Sequence, residues 1–253
     1  RLLLRWMDRI RPDCGALVLC GDVFDFWYEW KKVVPKGYVR LLGKLAQWTD
    51  EGIPVYFFSG NHDMWAKDYF ARELGVGMFH EPREFDISGK KFFVGHGDGL
   101  GPKDHRFKMM KAVFKNPVAR WLFSHLLHPD FAMRTADYFS RRSRAATGCS
   151  QNTYLGDENE WLYQFCVDTL KGQHYDYFVF GHRHLPIDKP LAGGARDINL
   201  DHVLYLRAVG REAVCPENLS ARWLVSFTVG ENCCFRANTW CWTGPRLWPW
   251  ACR

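Results

Sequence analysis

Long apolar runs are missing from this sequence. None approaches the ~18 residues that a membrane-crossing helix needs, so no helical span is expected. CxxC pairs are also missing. Cys14, Cys20, Cys149 and Cys166 lie far apart, which argues against a zinc ribbon or a thioredoxin-like dithiol and suits free thiols in a reducing cytoplasm. No recognised nucleic-acid module is present, and no signal-peptide pattern is visible in a chain that begins at Arg1 rather than Met. Lys and Asp are absent from the last 47 residues. What remains is a globular composition, 47% hydrophobic and 16% aromatic over 253 residues with a net charge of +6. That length suits one domain, or one domain with an insertion, around a sizeable core.

Four stretches share one construction: an apolar run that reads as a buried strand, then glycine, then residues that ligate metals. The first is Ala16 to Cys20 followed by Gly21-Asp22. The others are Val55-Tyr-Phe-Phe-Ser-Gly-Asn61-His62-Asp63, Phe92-Phe-Val-Gly-His96-Gly-Asp98 and Tyr177-Phe-Val-Phe-Gly-His182-Arg-His184. One such stretch is commonly a strand end with a helix cap. Four of them put carboxylate, amide and imidazole donors at strand ends, where ligands of α/β sheets gather. That mixed donor set suits Mn, Fe, Zn or Ni.

These motifs, in this order, resemble those of the calcineurin-like metallophosphoesterases. Gly21-Asp-Val-Phe-Asp-Phe-Trp27, Gly60-Asn-His-Asp63 and the segment from Gly97-Asp98 through Asn116-Pro117 are similar to the UDP-2,3-diacylglucosamine pyrophosphohydrolase branch, which acts in bacterial lipid A biosynthesis. The likeness runs over residues 1–206. It implies an α/β fold, a four-layer αββα sandwich with a two-metal site and a helical lid inserted at 103–145. The family begins with a strand ending in Asp-x-His that supplies two ligands of the first metal. No such strand is seen here, so the chain is expected to lack one β-α unit and to hold the second metal better than the first.

The resemblance also implies roles. Asp22 would bridge both metals, with Asn61, His96 and His182 on the second and His184 on the first. His62 would act on the phosphoryl or leaving group, as general-acid chemistry requires, and Asp63 would support the ligands from behind. Asp104 and Phe107 match positions near the substrate's sugar and nucleotide. Phe24 to Trp27 either line the substrate or pack under the next helix. That helix is marked by Tyr38, Leu41, Leu42, Leu45 and Trp48 at amphipathic spacing, and Arg1 to Ile10 and Asp157 to Leu170 also read as helices.

From Lys103 to Arg144, ten Lys and Arg face three Asp, a net of +7. Phe107, Met110 and Phe114 share one helical face, while Lys108, Lys111 and Lys115 form a separate stripe. Trp121 to Leu127 is a second apolar stretch, and Arg141-Arg142-Ser-Arg144 closes the segment. It reads as packed helices with a solvated basic face, as a nucleic-acid surface, or as a lid holding acyl chains with its basic side on an anionic membrane. The resemblance favours the lid. The tail 207–253 leaves the family pattern: it holds five of nine Cys and five of twelve Trp, sustains no strand-turn alternation and reads either as out of frame or as a genuine divergent C-terminus.

The activity implied is two-metal hydrolysis, with Mn²⁺, of the pyrophosphate of UDP-2,3-diacylglucosamine to UMP and 2,3-diacylglucosamine 1-phosphate. The implied place is the inner face of the cytoplasmic membrane, with the lipid-linked UDP-sugar and an anionic membrane surface as partners and no nucleic acid. The alternatives are a metallophosphoesterase for another phosphodiester or nucleotide, and a non-catalytic lipid- or protein-binding module.

Overall fold

A computed structural model describes residues 2–87, 89–101, 105–136, 138–139, 142, 154–183, 187–200, 203–207, 224–227, 239–242 and 247–249. Strand β1 (Cys14–Leu19) is buried along its whole length, as expected of a strand covered on both faces. It pairs in parallel with β2 (Val55–Phe58), which pairs in parallel with β3 (Gly77–Phe79). On its other side lies β9 (Val203–Arg207), antiparallel. The described tail segments β10 (Leu224–Phe227), β11 (Thr239–Trp242) and β12 (Leu247–Pro249) extend this sheet to seven strands. The second sheet has five, in the order β4 (Arg83–Ile87), β5 (Lys90–Val94), β6 (Tyr177–Phe180), β8 (Arg196–Asn199), β7 (Ile187–Pro190), with β5, β6 and β8 parallel.

Alternation along β1 joins three layers. Ala16, Val18 and Cys20 face the gap between the sheets, packed with Phe58, Phe92, Val94, Val179 and Ile198. Leu17 and Leu19 point the other way, onto α1 (Leu2–Ile10), α2 (Val39–Asp50) and α3 (Tyr69–Leu74), where Trp6, Met7, Leu45, Trp48 and Phe70 are buried. Each such side chain stabilises the fold by about 1.5–3 kcal/mol. The outer face of the second sheet is covered by α7 (Trp161–Leu170), whose Leu162 and Cys166 pack on Phe178 and Phe180. The architecture is therefore the four-layer αββα sandwich. Helix α7 begins later than its apolar spacing implied, because Glu160 turns back to accept from the Leu155 N–H and to pair with Arg183.

Phe24 and Trp27 sink into the core with Phe70, at ring separations of 5.6 and 4.8 Å. Buried Glu29 accepts from the Asp68 and Tyr69 N–H groups and from the Trp27 indole, which caps the start of α3. The insertion comprises α4 (His105–Lys115), α5 (Pro117–Leu126) and a helical stretch, α6, over 129–136. Asn116 starts α5 by accepting from the Val118 and Ala119 N–H groups, with Pro117 at the first helical position. Among the described residues no helix is long and apolar enough to cross a membrane.

Candidate metal centre

Strands β1, β2, β5 and β6 all end at one edge of the sandwich, and their following turns meet there. Glycine makes the meeting possible. Gly21 sits at φ +89°, and a Cβ on it would overlap the His96 ring; a Cβ on Gly60 would overlap the Asp22 carboxylate. Asp22 is itself at φ 53°, the one non-glycine residue at positive φ among the described residues. A left-handed aspartate is tolerated when its side chain is held, and here it accepts from the His62 N–H at 2.8 Å.

His96 is the centre of the group. Its Nδ1 donates to the Cys20 carbonyl at 2.7 Å, which leaves the Nε2 lone pair pointing into the site. Around Nε2 lie Asp22 Oδ2 at 3.3 Å, Asn61 Oδ1 at 3.3 Å and His182 Nδ1 at 3.0 Å. Donor atoms of Asp22, His96 and His182 all fall within 4.8 Å of one another. Lone pairs of a carboxylate, an amide and two imidazoles facing one point repel unless a cation sits among them, so this donor set fits a divalent metal. A proton bound at His96 Nε2 competes for that same place. Burial opposes charge on both Asp22 and His96, yet their mutual attraction outweighs it. Asp22 is held well below the usual carboxylate range, and His96 is pushed up to about 9.

Asp63 is fully buried and accepts from the Gly60 N–H at 2.5 Å and the Val23 N–H at 3.1 Å. It ties the turn after β2 to the turn after β1. Burial and the neighbouring Asp22 charge push it up to about 7. The His62 ring does not pair with Asp63; its Nδ1 donates to the Asp25 carbonyl at 2.8 Å. The ring of Trp161 lies 5.6 Å from that of His182. His184 and Asp104 lie outside the described residues, as do Cys149 and most of the Arg141 to Arg144 cluster, and Phe107 falls on α4 with its side chain outside them. The Cys20 thiol, raised to about 12 by burial, faces the inter-sheet core.

Periodicity gave no hint of how the insertion attaches. Lys111 pairs with buried Asp98 at 2.5 Å, and Lys108 donates to the Gly101 carbonyl at 2.9 Å. Two lysines expected on an outward basic stripe thus turn towards the loop that carries His96. Trp65 donates to the Phe114 carbonyl and packs on Phe26, Phe114 and Phe123. Tyr28 donates to the Arg120 carbonyl. Phe26 and Tyr28 therefore serve the insertion, while Phe24 and Trp27 serve the core. The outward faces of α4 and α5 are apolar: Met109, Val113, Val118, Trp121, Leu122 and Leu126 are exposed.

Residues 1–186 match the calcineurin-like phosphoesterase family. A UDP-2,3-diacylglucosamine hydrolase from Porphyromonas gingivalis is 37% identical over 218 residues, covering 81% of this chain and 83% of that one. Proteins of the same name from Shewanella pealeana and Klebsiella pneumoniae are each 27% identical, covering 77% and 72% of this chain and 79% and 74% of theirs.

Proposed function

We propose, from the premise that the chain belongs to the calcineurin-like phosphoesterase family and is a metal-dependent hydrolase, that it cleaves the pyrophosphate of UDP-2,3-diacylglucosamine. The products are UMP and 2,3-diacylglucosamine 1-phosphate. The observation that carries this reading is the convergence of Asp22, Asn61, His96 and His182 on one point, in a chain whose relatives are named for that substrate.

Divalent metal, for which we propose Mn²⁺, would polarise the phosphoryl group and lower the pKa of water near it. Asp22, Asn61, His96 and His182 would hold one ion, and by the family likeness Asp22 and His184 would help to hold a second. Asp63 and the Cys20 carbonyl fix the ligands so that no reorganisation is needed as charge develops. With the Nδ1–H of His62 engaged by the Asp25 carbonyl, it is the doubly protonated imidazolium that would present Nε2–H to the phosphoryl oxygens or give that proton to the departing one. A phosphate monoester is a good leaving group, so that assistance need only be modest. By the family likeness, Asp104 and Phe107 would lie near the substrate's sugar and nucleotide. The insertion is the lid over the acyl chains, and, with Lys111 and Lys108 drawn to Asp98 and Gly101, its exposed apolar face rather than the basic side first expected rests on the inner surface of the cytoplasmic membrane.

The protein with an Asp-x-His strand supplied ahead of Arg1, loaded with Mn²⁺ and given UDP-2,3-diacylglucosamine in detergent micelles, is expected to release UMP. A folded, metal-loaded sample that releases none rejects the reading. Equal turnover of bis-p-nitrophenyl phosphate, indifferent to acyl chains, points to a broader phosphodiesterase.

A further inference from the structure

We infer that residues 30–40 form a second membrane contact, a cationic foot that seats anionic lipid headgroups beside α4 and α5. The inference rests on the lipid substrate proposed above and adds to it where the protein meets the bilayer. From Trp30 to Thr49 the chain has five cations and no carboxylate. Lys44 is engaged by Asp8 at 2.6 Å. Lys31, Lys32, Lys36 and Arg40 are exposed, and none of them has an ion-pair partner among the described residues.

The loop is built to present these groups. The Trp30 N–H bonds the Val33 carbonyl at 3.1 Å, Pro35 is buried, and Val34 and Tyr38 pack on the core. Left outside are the four cations and two aliphatic tips, Val33 at 49% and Val39 at 75% exposure. Cations around small apolar tips suit a bilayer interface, where charge draws the protein in and the tips enter the headgroup boundary. A single-stranded nucleic acid would want exposed rings on which to stack. Here Tyr38 lies edge-on to Phe24 at 4.8 Å and Trp30 against Tyr28 at 4.7 Å.

The foot adjoins the lid. Tyr28, next to the Trp30 ring, reaches the Arg120 carbonyl of α5 at 3.0 Å and the Phe123 ring at 4.9 Å. The outward residues of α5 include Trp121 at 55% and Leu126 at 71% exposure. Of α4's own lysines, Lys111 is paired with Asp98 and Lys108 bends to the Gly101 carbonyl, so the Lys111 charge is spent within the protein. Residues 30–40 supply positive charge from next door.

The test is sedimentation with vesicles of phosphatidylglycerol and phosphatidylethanolamine, against pure phosphatidylcholine. Lys31→Gln/Lys32→Gln/Lys36→Gln/Arg40→Gln is expected to lower partitioning on the order of a thousandfold, and Val33→Ser/Val39→Ser several-fold. Neutralising Arg83, Lys91 and Lys171, around the second sheet, should change little. UMP release from micellar substrate should persist in the fourfold variant and fall for substrate in vesicles. Unchanged vesicle binding by that variant, an equal loss in the control, or tighter binding to a single-stranded oligonucleotide than to vesicles overturns the inference. If no variant releases UMP yet partitioning still depends on the loop, the membrane contact stands and the proposed reaction falls.

Discussion

The His96 cluster and the helices α4 and α5 meet at one loop, yet they are held by different means. Around His96 the fixing groups are backbone: the Cys20 carbonyl, the Gly60, His62 and Val23 N–H groups, and glycines with no room for a Cβ. The insertion is held by side chains that reach across from the sandwich, Trp65, Tyr28 and the Asp98 partner of Lys111. Backbone fixing leaves little slack, since moving one strand end moves its ligand. Side-chain fixing is separable, and the insertion should loosen by degrees while the cluster keeps its geometry.

The largest expected effect falls on the cluster. Asp22 is the one carboxylate in the described donor group, and Asp22→Asn removes its charge with little change of shape. Losing a group that merely orients a ligand costs about 10–100-fold in metal affinity, so losing this carboxylate should cost more than roughly 100-fold, read by titration with Mn²⁺. Gly21→Ala should act through sterics instead, destabilising the fold by about 3 kcal/mol or more in urea denaturation. An alanine variant that binds metal normally would break the view that backbone contacts set the cluster.

Trp65→Ala comes next and tests the other side. The ring touches Phe26, Phe114 and Phe123, and its N–H reaches α4. For a partly exposed tryptophan about 3 kcal/mol is expected, concentrated in 105–126. Hydrogen exchange should speed up there and in few other places, with metal affinity unchanged and KM raised more than kcat is lowered. Uniform faster exchange across both sheets would show that the insertion and the sandwich unfold as one.

The same division explains what was legible beforehand. Strand, glycine and ligand recur because sterics at a crowded edge admit few sequences, so Asp22, Asn61, His96 and His182 could be picked out before any coordinates. Apolar spacing marked several strands and helices, but the four layers followed from family likeness alone. The insertion was not legible in this way. A lysine stripe looks the same whether it faces water, lipid or a buried carboxylate, and nothing near Lys111 marks Asp98, thirteen residues back, as its partner. Tyr28 and Trp65 are far from α5 in sequence, so no local period connects them. The tail hid its strands for a simpler reason. Segments of four, four and three residues are too short to display alternation.

Lys111→Met probes the joint between the two regions. It leaves the Asp98 carboxylate, 7% exposed, without its cation, for which about 2 kcal/mol is expected, less than for a fully buried pair because Lys111 keeps some contact with water. Adding Asp98→Asn should recover part of that loss, and a double-mutant cycle in urea denaturation measures the coupling. Additive losses would mean that the pair contributes nothing beyond two separate contacts.

The smallest effect is the most discriminating. Tyr28→Phe keeps the ring that packs on Trp30, Trp65 and Phe123 and deletes only the bond to the Arg120 carbonyl. That bond should contribute about 0.5–1.5 kcal/mol, equivalent to roughly a two- to tenfold rise in hydrogen exchange over 117–126. The Arg120 carbonyl already accepts within its helix or meets water once α5 lifts, so no buried group is stranded and the loss stays local. Metal affinity should not move, because no atom of Tyr28 touches the backbone groups that orient His96. If the titration with Mn²⁺ shifts in step with exchange in α5, the insertion is coupled to the cluster through the chain from Gly21 to Tyr28, and the two regions are not separable.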